Sequence, residues 1–325
     1  MMRVLLTTMT ALTLLAASHA QAIEYIGLCE ASAGAFLDDK HFVVASDETN
    51  ILQLYERGKP ERIGGIDLTG FTAHDKSDLE GAAVIGDRVY WISSHSLNKS
   101  KKIKGRAVFF ATKIGQANGK PTLTGIGKVV ETLRDPLATA AGIDANAINI
   151  EALAATPEGG LLIGLRAPLL VETDETDEDK GKEKAIVISL KNPAAVVEGS
   201  PPVFGDVFKI FLDGRGLRSM DLIGNAPARY VIVAGPVKDG PGFAIYRWAG
   251  PSSDSQKKVP RPEKSNSQTN LSGLTPEGAM AVPGQNLVQL LSDDKEFVKG
   301  VECSDEDEQK TPIAKRKFRS IDVTP

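Results

Sequence analysis

The amino-acid sequence predicts an all-β fold: a β-propeller with five four-stranded blades, its ring closed by the N- and C-terminal strands. Two observations lead to this prediction. One pattern recurs five times along the chain: a polar residue, a strand of small residues, a tight turn and a more apolar strand. Helical periodicity is scarce outside one short stretch. Repeats on this scale indicate an array or a propeller rather than a doubly wound sheet.

The five units open at positions that carry polar side chains, namely Ser32, Glu80, Glu151, Arg218 and Glu277. Successive units are about 60 residues apart, longer than the roughly 40 to 45 residues of well-known propeller repeats, so the surplus is expected in loops. This spacing favours five blades and leaves six as the alternative. Hairpin turns are indicated inside the units at Asp38-Asp39, Gly86-Asp87, Glu158-Gly159-Gly160 and Pro283-Gly284.

The other strands follow from apolar runs between turn residues. They are expected at 51–55, 63–68, 82–85, 89–93, 107–114, 124–130, 185–190, 207–211 and 243–248. A short helix is allowed within the loop at 133–147.

The last unit lacks one strand, and a strand at the start of the chain has no unit of its own. We expect residues 24–28 to pair with residues 318–323, because an open ring would leave an unpaired sheet edge. Cys29 ends the first of these strands and Cys303 lies in the last unit, so closure favours a Cys29–Cys303 disulfide over two separate buried thiols.

The first residues predict export. Arg3 precedes an apolar run at 4–17, and Ala20-Gln-Ala22 fits a small-x-small cleavage site, so residues 1–22 are interpreted as a secretory signal peptide. A single domain is expected over 23–325, located in the periplasm or secreted, without a membrane span. Flexible loops are expected near 168–184 and 251–270. The net charge of -4 argues against a nucleic-acid partner.

In a propeller the first strand of each blade lines the central channel, so the polar openers should ring one mouth of that channel. Residues that end the second strands should lie beside them, because the two strands are antiparallel neighbours. These are Asp47, His95, Arg166 and Asp293. Three opener–closer pairs share a spacing of 15 residues, namely Ser32–Asp47, Glu80–His95 and Glu151–Arg166.

Convergent charged groups at a concave mouth are typical of a functional site. Catalytic candidates are His95, Glu80 and Glu151, and candidates for ligand binding are Arg166, Arg218, Ser32 and Asp47. Oxygen ligands for Ca²⁺ or another divalent cation are offered by Glu80, Glu151, Glu277 and Asp293. The ligand is an unidentified small molecule or protein. The alternative is structural: the Glu side chains accept hydrogen bonds and pair with Arg166 or Arg218.

Ser32, His95 and Asp47 are also the residue types of a nucleophilic triad. However, Glu30 stands where a nucleophile elbow requires glycine, so the sequence does not favour this chemistry.

Four segments resemble bacterial proteins grouped as domain of unknown function 3616. They begin at Asp78 (Asp-Leu-Glu-Gly-Ala-Ala), Arg88 (Arg-Val-Tyr-Trp-Ile-Ser-Ser-His-Ser), Asn149 (Asn-Ile-Glu-Ala-Leu-Ala-Ala) and Gly216 (Gly-Leu-Arg-Ser-Met-Asp). The resemblance spans nearly all of the mature chain and implies a propeller without an established reaction. A more distant similarity to phytase-like, esterase-like propellers implies a metal-dependent phosphoester or ester hydrolase. The competing expectation is a non-catalytic binding or scaffold protein.

Overall fold

The structure is a computed structural model. It describes residues 22–171, 173, 181–224, 229–238, 240–251, 262–265, 271–294 and 311–325. In these ranges the strands form five antiparallel sheets, which are the five blades of a β-propeller. The fold class predicted from the repeats is therefore confirmed.

The first two blades are built from consecutive strands, ordered from the channel outwards. Blade 1 contains β2 (Ala33–Phe36), β3 (His41–Ala45), β4 (Ile51–Glu56) and β5 (Arg62–Asp67). Blade 2 contains β6 (Leu79–Ile85), β7 (Arg88–Ser93), β8 (Phe109–Ala117) and β9 (Lys120–Val130).

The next two blades follow the same plan, with one addition. Blade 3 contains β10 (Asn149–Ala155), β11 (Leu161–Ala167), β13 (Glu183–Leu190) and β14 (Phe204–Ile210), and the short β12 (Leu170–Val171) also pairs with β13. Blade 4 contains β15 (Gly216–Leu222), β16 (Tyr230–Gly235), β17 (Ala244–Trp248) and β18 (Glu263–Lys264).

Blade 5 joins the two ends of the chain. It contains β19 (Pro276–Ala281), β20 (Val288–Ser292), β21 (Lys317–Val323) and, as its outermost strand, β1 (Ile23–Ile26). β1 pairs antiparallel with β21, with Ile23 opposite Ser320 and Ile26 opposite Lys317. The expected closure by the terminal strands is confirmed.

The five inner strands form a closed ring around the channel. Each inner strand contacts the next in the order β2, β6, β10, β15 and β19, and β19 in turn contacts β2. Apolar side chains fill the spaces between blades rather than one central core. Each of five buried clusters joins two neighbouring blades, including the cluster between blades 5 and 1. Each blade buries both faces against its neighbours. A gap in the ring would therefore expose the apolar faces of the two blades beside it.

Aromatic side chains fill the closing seam. Tyr25 of β1 stacks on Phe318 of β21 with ring centroids 5.3 Å apart, and it meets Phe42 of blade 1 edge-on at 5.2 Å. All three rings are buried. The terminal strand therefore contributes packing as well as backbone hydrogen bonds.

In the described part of the chain, helices occur only in the segments that connect strands. They are α1 (Thr69–Thr72), α2 (Arg134–Ala141) and α3 (Pro193–Val197), with two 3-10 turns at Ala145–Ala147 and Ile313–Lys315. α2 lies inside the stretch where a short helix was expected. No helix of the described ranges has the length and apolar character needed to cross a membrane.

The two loops expected to be flexible contain short strands where the structure describes them. β12 lies in the first loop and β18 in the second, each extending an antiparallel sheet. The remaining parts of both loops and the predicted signal peptide, apart from Ala22, lie outside the described residues.

Candidate functional site at the channel mouth

Four of the five inner strands carry a β-bulge at the residue that opens the unit. The register of β6, β10, β15 and β19 against the neighbouring strand shifts at Glu80, Glu151, Arg218 and Glu277. A bulge redirects a side chain out of the normal alternation of the strand. The repeat of a polar residue followed by a small one therefore corresponds to a repeated backbone irregularity, which brings these four side chains together at one mouth.

On one side of the mouth, a buried ion-pair network links three blades. Arg218 of blade 4 places Nε 2.8 Å from Oε2 of Glu151 in blade 3, and its other guanidinium arm pairs with Glu277 in blade 5. Arg166 places a terminal guanidinium nitrogen 2.9 Å from Oε1 of Glu151. Arg166 Nε also donates to the carbonyl of Val237 at 2.9 Å.

The backbone brings the two arginines together by close approach. A Cβ atom at Gly216 would collide with the carbonyl of Arg166, so the start of β15 can pass the end of β11 only with glycine there. Arg218 follows two residues later and is 4% exposed. Burial alone lowers the pKa of Arg218, but the carboxylates of Glu277 and Glu151 outweigh it and raise that pKa, so the guanidinium is charged.

Glu151 is enclosed by this network. Burial raises the pKa of its carboxyl to about 7, against the opposing effects of Arg218 and Arg166. Asn149 donates to the same carboxylate at 3.4 Å. Glu151 and Glu277 therefore lie beside arginine side chains, the arrangement expected of a structural network.

The other side of the mouth is acidic. Carboxylate oxygens of Asp47, Asp78 and Glu80 lie within 4.8 Å of one another, and so do those of Glu30, Asp47 and Glu48. Asp47 follows the second strand of blade 1, whereas Asp78 and Glu80 belong to the start of blade 2. This cluster therefore lies between two blades and shares Asp47 between two groups of carboxylates.

The clustered negative charge is visible in the pKa values. Burial, followed by the neighbouring charges of Asp78, Glu151 and Asp47, raises the pKa of Glu80 well above its ordinary value. Burial also raises the pKa of Asp78 to about 6, although the nearby Arg106 opposes that rise. Neighbouring carboxyl groups disfavour one another's charged forms. A cation between them stabilises those charged forms.

Two basic side chains neutralise part of this charge. Arg106 lies 2.5 Å from Oδ2 of Asp78, and Lys76 Nζ lies 2.6 Å from Oε1 of Glu48. Asp47 differs: its Oδ1 is buried and has no hydrogen-bond partner among the described residues. The donors present here are carboxylate oxygens, which suit a hard divalent cation such as Ca²⁺.

Among the described residues no hydrogen bond joins Ser32 to the His95 ring, because both ring nitrogens of His95 are buried without a partner. The Ser32 hydroxyl donates to the carbonyl of Leu79 at 2.6 Å, linking blade 1 to blade 2. His95 is fully buried, and burial lowers the pKa of its imidazole to about 4. The backbone carbonyl of His95 accepts a hydrogen bond from Arg134. The Ser32 hydroxyl therefore contributes to the contact between blades 1 and 2, and the catalytic role of His95 stays a prediction.

The four predicted metal ligands are not brought into one group among the described residues. Glu80 joins the acidic cluster, whereas Glu151 and Glu277 pair with arginines. The backbone N–H of Asp293 donates to the carbonyl of Thr275 at 2.8 Å, near the end of β20.

Sequence reasoning missed Asp78, Glu30 and Glu48 as candidates. The available signal was nearness in sequence to the selected residues, because Asp78 precedes β6 and Glu80 lies at its bulge, where strand alternation does not apply. Asp78 stands two before Glu80, and Glu48 directly follows Asp47. Arg106 lies in the loop between β7 and β8, close to several lysines, and nothing in the sequence singles it out as the partner of Asp78.

The disulfide stays a prediction. Cys29 is buried, and its carbonyl accepts a long hydrogen bond from the N–H of Asp294 at 3.4 Å, so the segment after β1 lies beside the end of β20. No cysteine is free among the described residues, and Cys303 lies outside them.

Comparisons with known proteins identify the fold only. No family model matches the chain, and no curated protein does. Among solved structures, the chain is similar to the major allergen Mala s 1 of Malassezia sympodialis, with 10% identity, a TM-score of 0.51, and coverage of 92% of this chain and 95% of the allergen.

A second similar structure is a putative oxidoreductase (glucose dehydrogenase) of Thermus thermophilus. Its identity is 11% and its TM-score 0.45, with coverage of 94% of this chain and 99% of the other. A third is the PQQ-bound aldose sugar dehydrogenase of Streptomyces coelicolor, with 9% identity and a TM-score of 0.42 over 94% and 99% of the two chains. At such identities the similarity extends to the propeller fold and not to activity.

Proposed function

We propose that this chain is an exported β-propeller that binds a divalent cation at one mouth of its channel and uses that site to hold a small molecule. Asp47, Asp78 and Glu80 are the proposed ligands. The observation that carries the proposal is the convergence of their oxygens within 4.8 Å, together with the buried, unpartnered Oδ1 of Asp47.

The electrostatics of the cluster supports a cation. Glu80 and Asp78 have raised pKa values because burial and neighbouring carboxylates disfavour their charged forms. Asp47 and Glu80 are partly exposed, whereas Asp78 is buried. Ca²⁺ takes six to eight oxygen ligands and tolerates irregular geometry, which suits carboxylates from two blades with water completing the shell.

A bound cation at this position would supply Lewis-acid chemistry to a phosphoester or ester. That activity is the one implied by the distant resemblance to phytase-like, esterase-like propellers. The chain's own contribution would be to position the substrate between the acidic cluster and the arginine network. Export of the protein, which the N-terminal sequence supports, would place the site in the periplasm or outside the cell.

A second candidate function is a scaffold without a reaction. The observation that favours it is the pairing of Glu151 and Glu277 with Arg218 across three blades. In that case the network maintains the ring, and the loops around the mouth meet a protein partner.

The two candidates are separated by metal content and hydrolysis. The protein is purified from the exported fraction, dialysed without chelator, and analysed for bound metals by mass spectrometry. A hydrolase panel of phosphoesters and carboxylic esters is then run with added Ca²⁺ and with chelator. We expect a stoichiometric divalent cation and a chelator-sensitive activity. Retention of metal without hydrolysis supports binding alone, and absence of metal together with no Ca²⁺ binding favours the scaffold.

The matched variants are Glu80→Gln and Glu158→Gln. Glu158 is an exposed glutamate in the turn between β10 and β11, at the opposite end of these strands. The first substitution should abolish stoichiometric metal and the second should leave it unchanged.

A further inference from the structure

A cavity of about 250 Å³ lies in the seam between blades 5 and 1. Gln289 is the second residue of β20, and that strand ends at Ser292 beside the mouth, so the cavity lies toward the opposite end of the ring. Its polar lining comes from Tyr25, Arg57, Gly58, Gln289, Ser320 and Asp322. It shares no residue with the acidic cluster or the arginine network.

The cavity contains a buried amide that the protein leaves unsatisfied. Gln289 is 1% exposed. Its side chain interacts with the Tyr25 hydroxyl, and apart from that contact neither amide atom has a hydrogen-bond partner among the described residues. One hydroxyl satisfies only part of the hydrogen-bonding capacity of an amide, so a molecule that occupies the cavity and bonds to the remaining groups is favoured.

The charged groups of the cavity neutralise each other. The guanidinium of Arg57 pairs with the carboxylate of Asp322, and the two side chains are 24% and 36% exposed, which leaves the cavity open to solvent. Burial raises the pKa of Asp322 and the adjacent Arg57 opposes that effect. A net charge of zero favours an uncharged ligand over an anion or a cation.

The remaining polar groups both donate and accept. The Gln289 amide offers a donor and an acceptor, and the Ser320 and Tyr25 hydroxyls can do either. The N–H of Gly58 already donates to the Tyr25 hydroxyl at 3.0 Å, so the phenol is held in place. Hydroxyl groups are the ligand groups that match such a lining. The volume is below the roughly 300 to 1,000 Å³ of sites for drug-sized molecules, so the ligand is small.

From the buried and incompletely hydrogen-bonded amide, the internal ion pair and the volume, we propose that this seam cavity binds a neutral polyhydroxylated molecule of monosaccharide size. The site is independent of the cation site, so its occupation does not depend on chelator. Because the cavity lies between the first and last blades, an occupant also bridges the two ends of the chain.

The test is isothermal titration calorimetry of the full mature chain with chelator present. The probes are neutral aldohexoses, aldopentoses and linear polyols, with sugar phosphates and zwitterionic amino acids as charged comparisons. We expect saturable binding of at least one neutral probe and weaker or no binding of the charged ones. Preferred binding of an amino acid would mean that Arg57 and Asp322 separate to meet its two charges, and it would overturn the proposal. Absence of saturable binding by any neutral probe would do the same.

The variant Gln289→Leu fills the same space and removes both amide atoms. It should weaken binding at least ~10-fold, which corresponds to ~1.4 kcal/mol. The matched control is Gln285→Leu, the same exchange at an exposed position in the turn before β20, which should change affinity less than ~2-fold. Ser320→Ala provides a second variant if Gln289→Leu does not fold. Unchanged binding in either folded cavity variant contradicts the assignment.

Discussion

Arg218 Nε lies 2.8 Å from Glu151 Oε2, and the two residues belong to neighbouring blades. Both are almost fully buried, and Arg218 also pairs with Glu277 of a third blade. The contact therefore joins blades 3, 4 and 5 at the channel, where each blade otherwise presents small side chains. On this side of the channel, the buried charges of three blades balance one another.

Glu151→Gln should lower the free energy of unfolding by about 3 to 5 kcal/mol, because it leaves the buried Arg218 and the adjacent Arg166 without their shared carboxylate. Urea unfolding followed by circular dichroism measures the change. The control Glu158→Gln, at an exposed turn of the same blade, should alter stability by less than about 0.5 kcal/mol. Equal stability of Glu151→Gln and the wild type would rule out a structural network.

His95 should titrate far below the range of a general base at neutral pH. Burial lowers its pKa to about 4, below the ordinary value of 6.5. Because the unfolded chain binds this proton more readily than the folded chain, the His95 contribution to stability is complete above about pH 6.5 and is lost as pH falls toward 4. Histidine NMR titration, with His95→Gln to assign the resonance, checks this. A midpoint between 6 and 7 would contradict the burial of the imidazole and would favour His95 as a general base.

The terminal strand should be essential for folding. Deletion of residues 23–28 removes β1, exposes the edge of β21 and takes the buried ring of Tyr25 and the side chain of Leu28 out of the seam. We expect the truncated protein to be unfolded by near-UV circular dichroism. Tyr25→Ala should have a smaller effect than the deletion, lowering the free energy of unfolding by about 3 to 5 kcal/mol. A truncated chain that melts at the wild-type temperature would contradict the closure account.

Protein produced in an oxidising compartment should contain a Cys29–Cys303 disulfide that contributes roughly 2 to 4 kcal/mol. Mass spectrometry of the unreduced protein after alkylation detects it directly. The double variant Cys29→Ser/Cys303→Ser should melt at a lower temperature than the oxidised wild type and at about the same temperature as the reduced one. Two thiols that alkylate without reduction would exclude the bond.

Much of the ring follows from the sequence because it is repeated. The openers Glu80, Glu151, Arg218 and Glu277 recur with a small residue behind them, and this local pattern corresponds to a bulge in each blade. The closing strand was predictable for a related reason: an unpaired edge is costly, and one strand at each end lacked a partner.

The pairing of charges was not predictable, because it depends on distances across the channel between residues far apart in sequence. Glu151 and Glu80 occupy equivalent positions, yet Glu151 faces two arginines and Glu80 faces carboxylates. Asp78 was overlooked for a similar reason. It precedes the repeated position and acts in the cluster only because Asp47 of another blade lies beside it.

The two sides of the mouth differ in charge, and we propose that the acidic side binds a cation whereas the arginine side maintains the ring. The most direct test is the Ca²⁺-dependent shift in melting temperature of the wild type, Glu80→Gln and Glu151→Gln, each measured with Ca²⁺ and with chelator. We predict that Glu80→Gln abolishes the shift while its melting temperature in chelator equals or exceeds that of the wild type, because one of several repelling carboxylates is removed. Glu151→Gln should melt lower in chelator yet keep the shift. An unchanged Ca²⁺ shift in Glu80→Gln, or no shift in the wild type, would contradict the account.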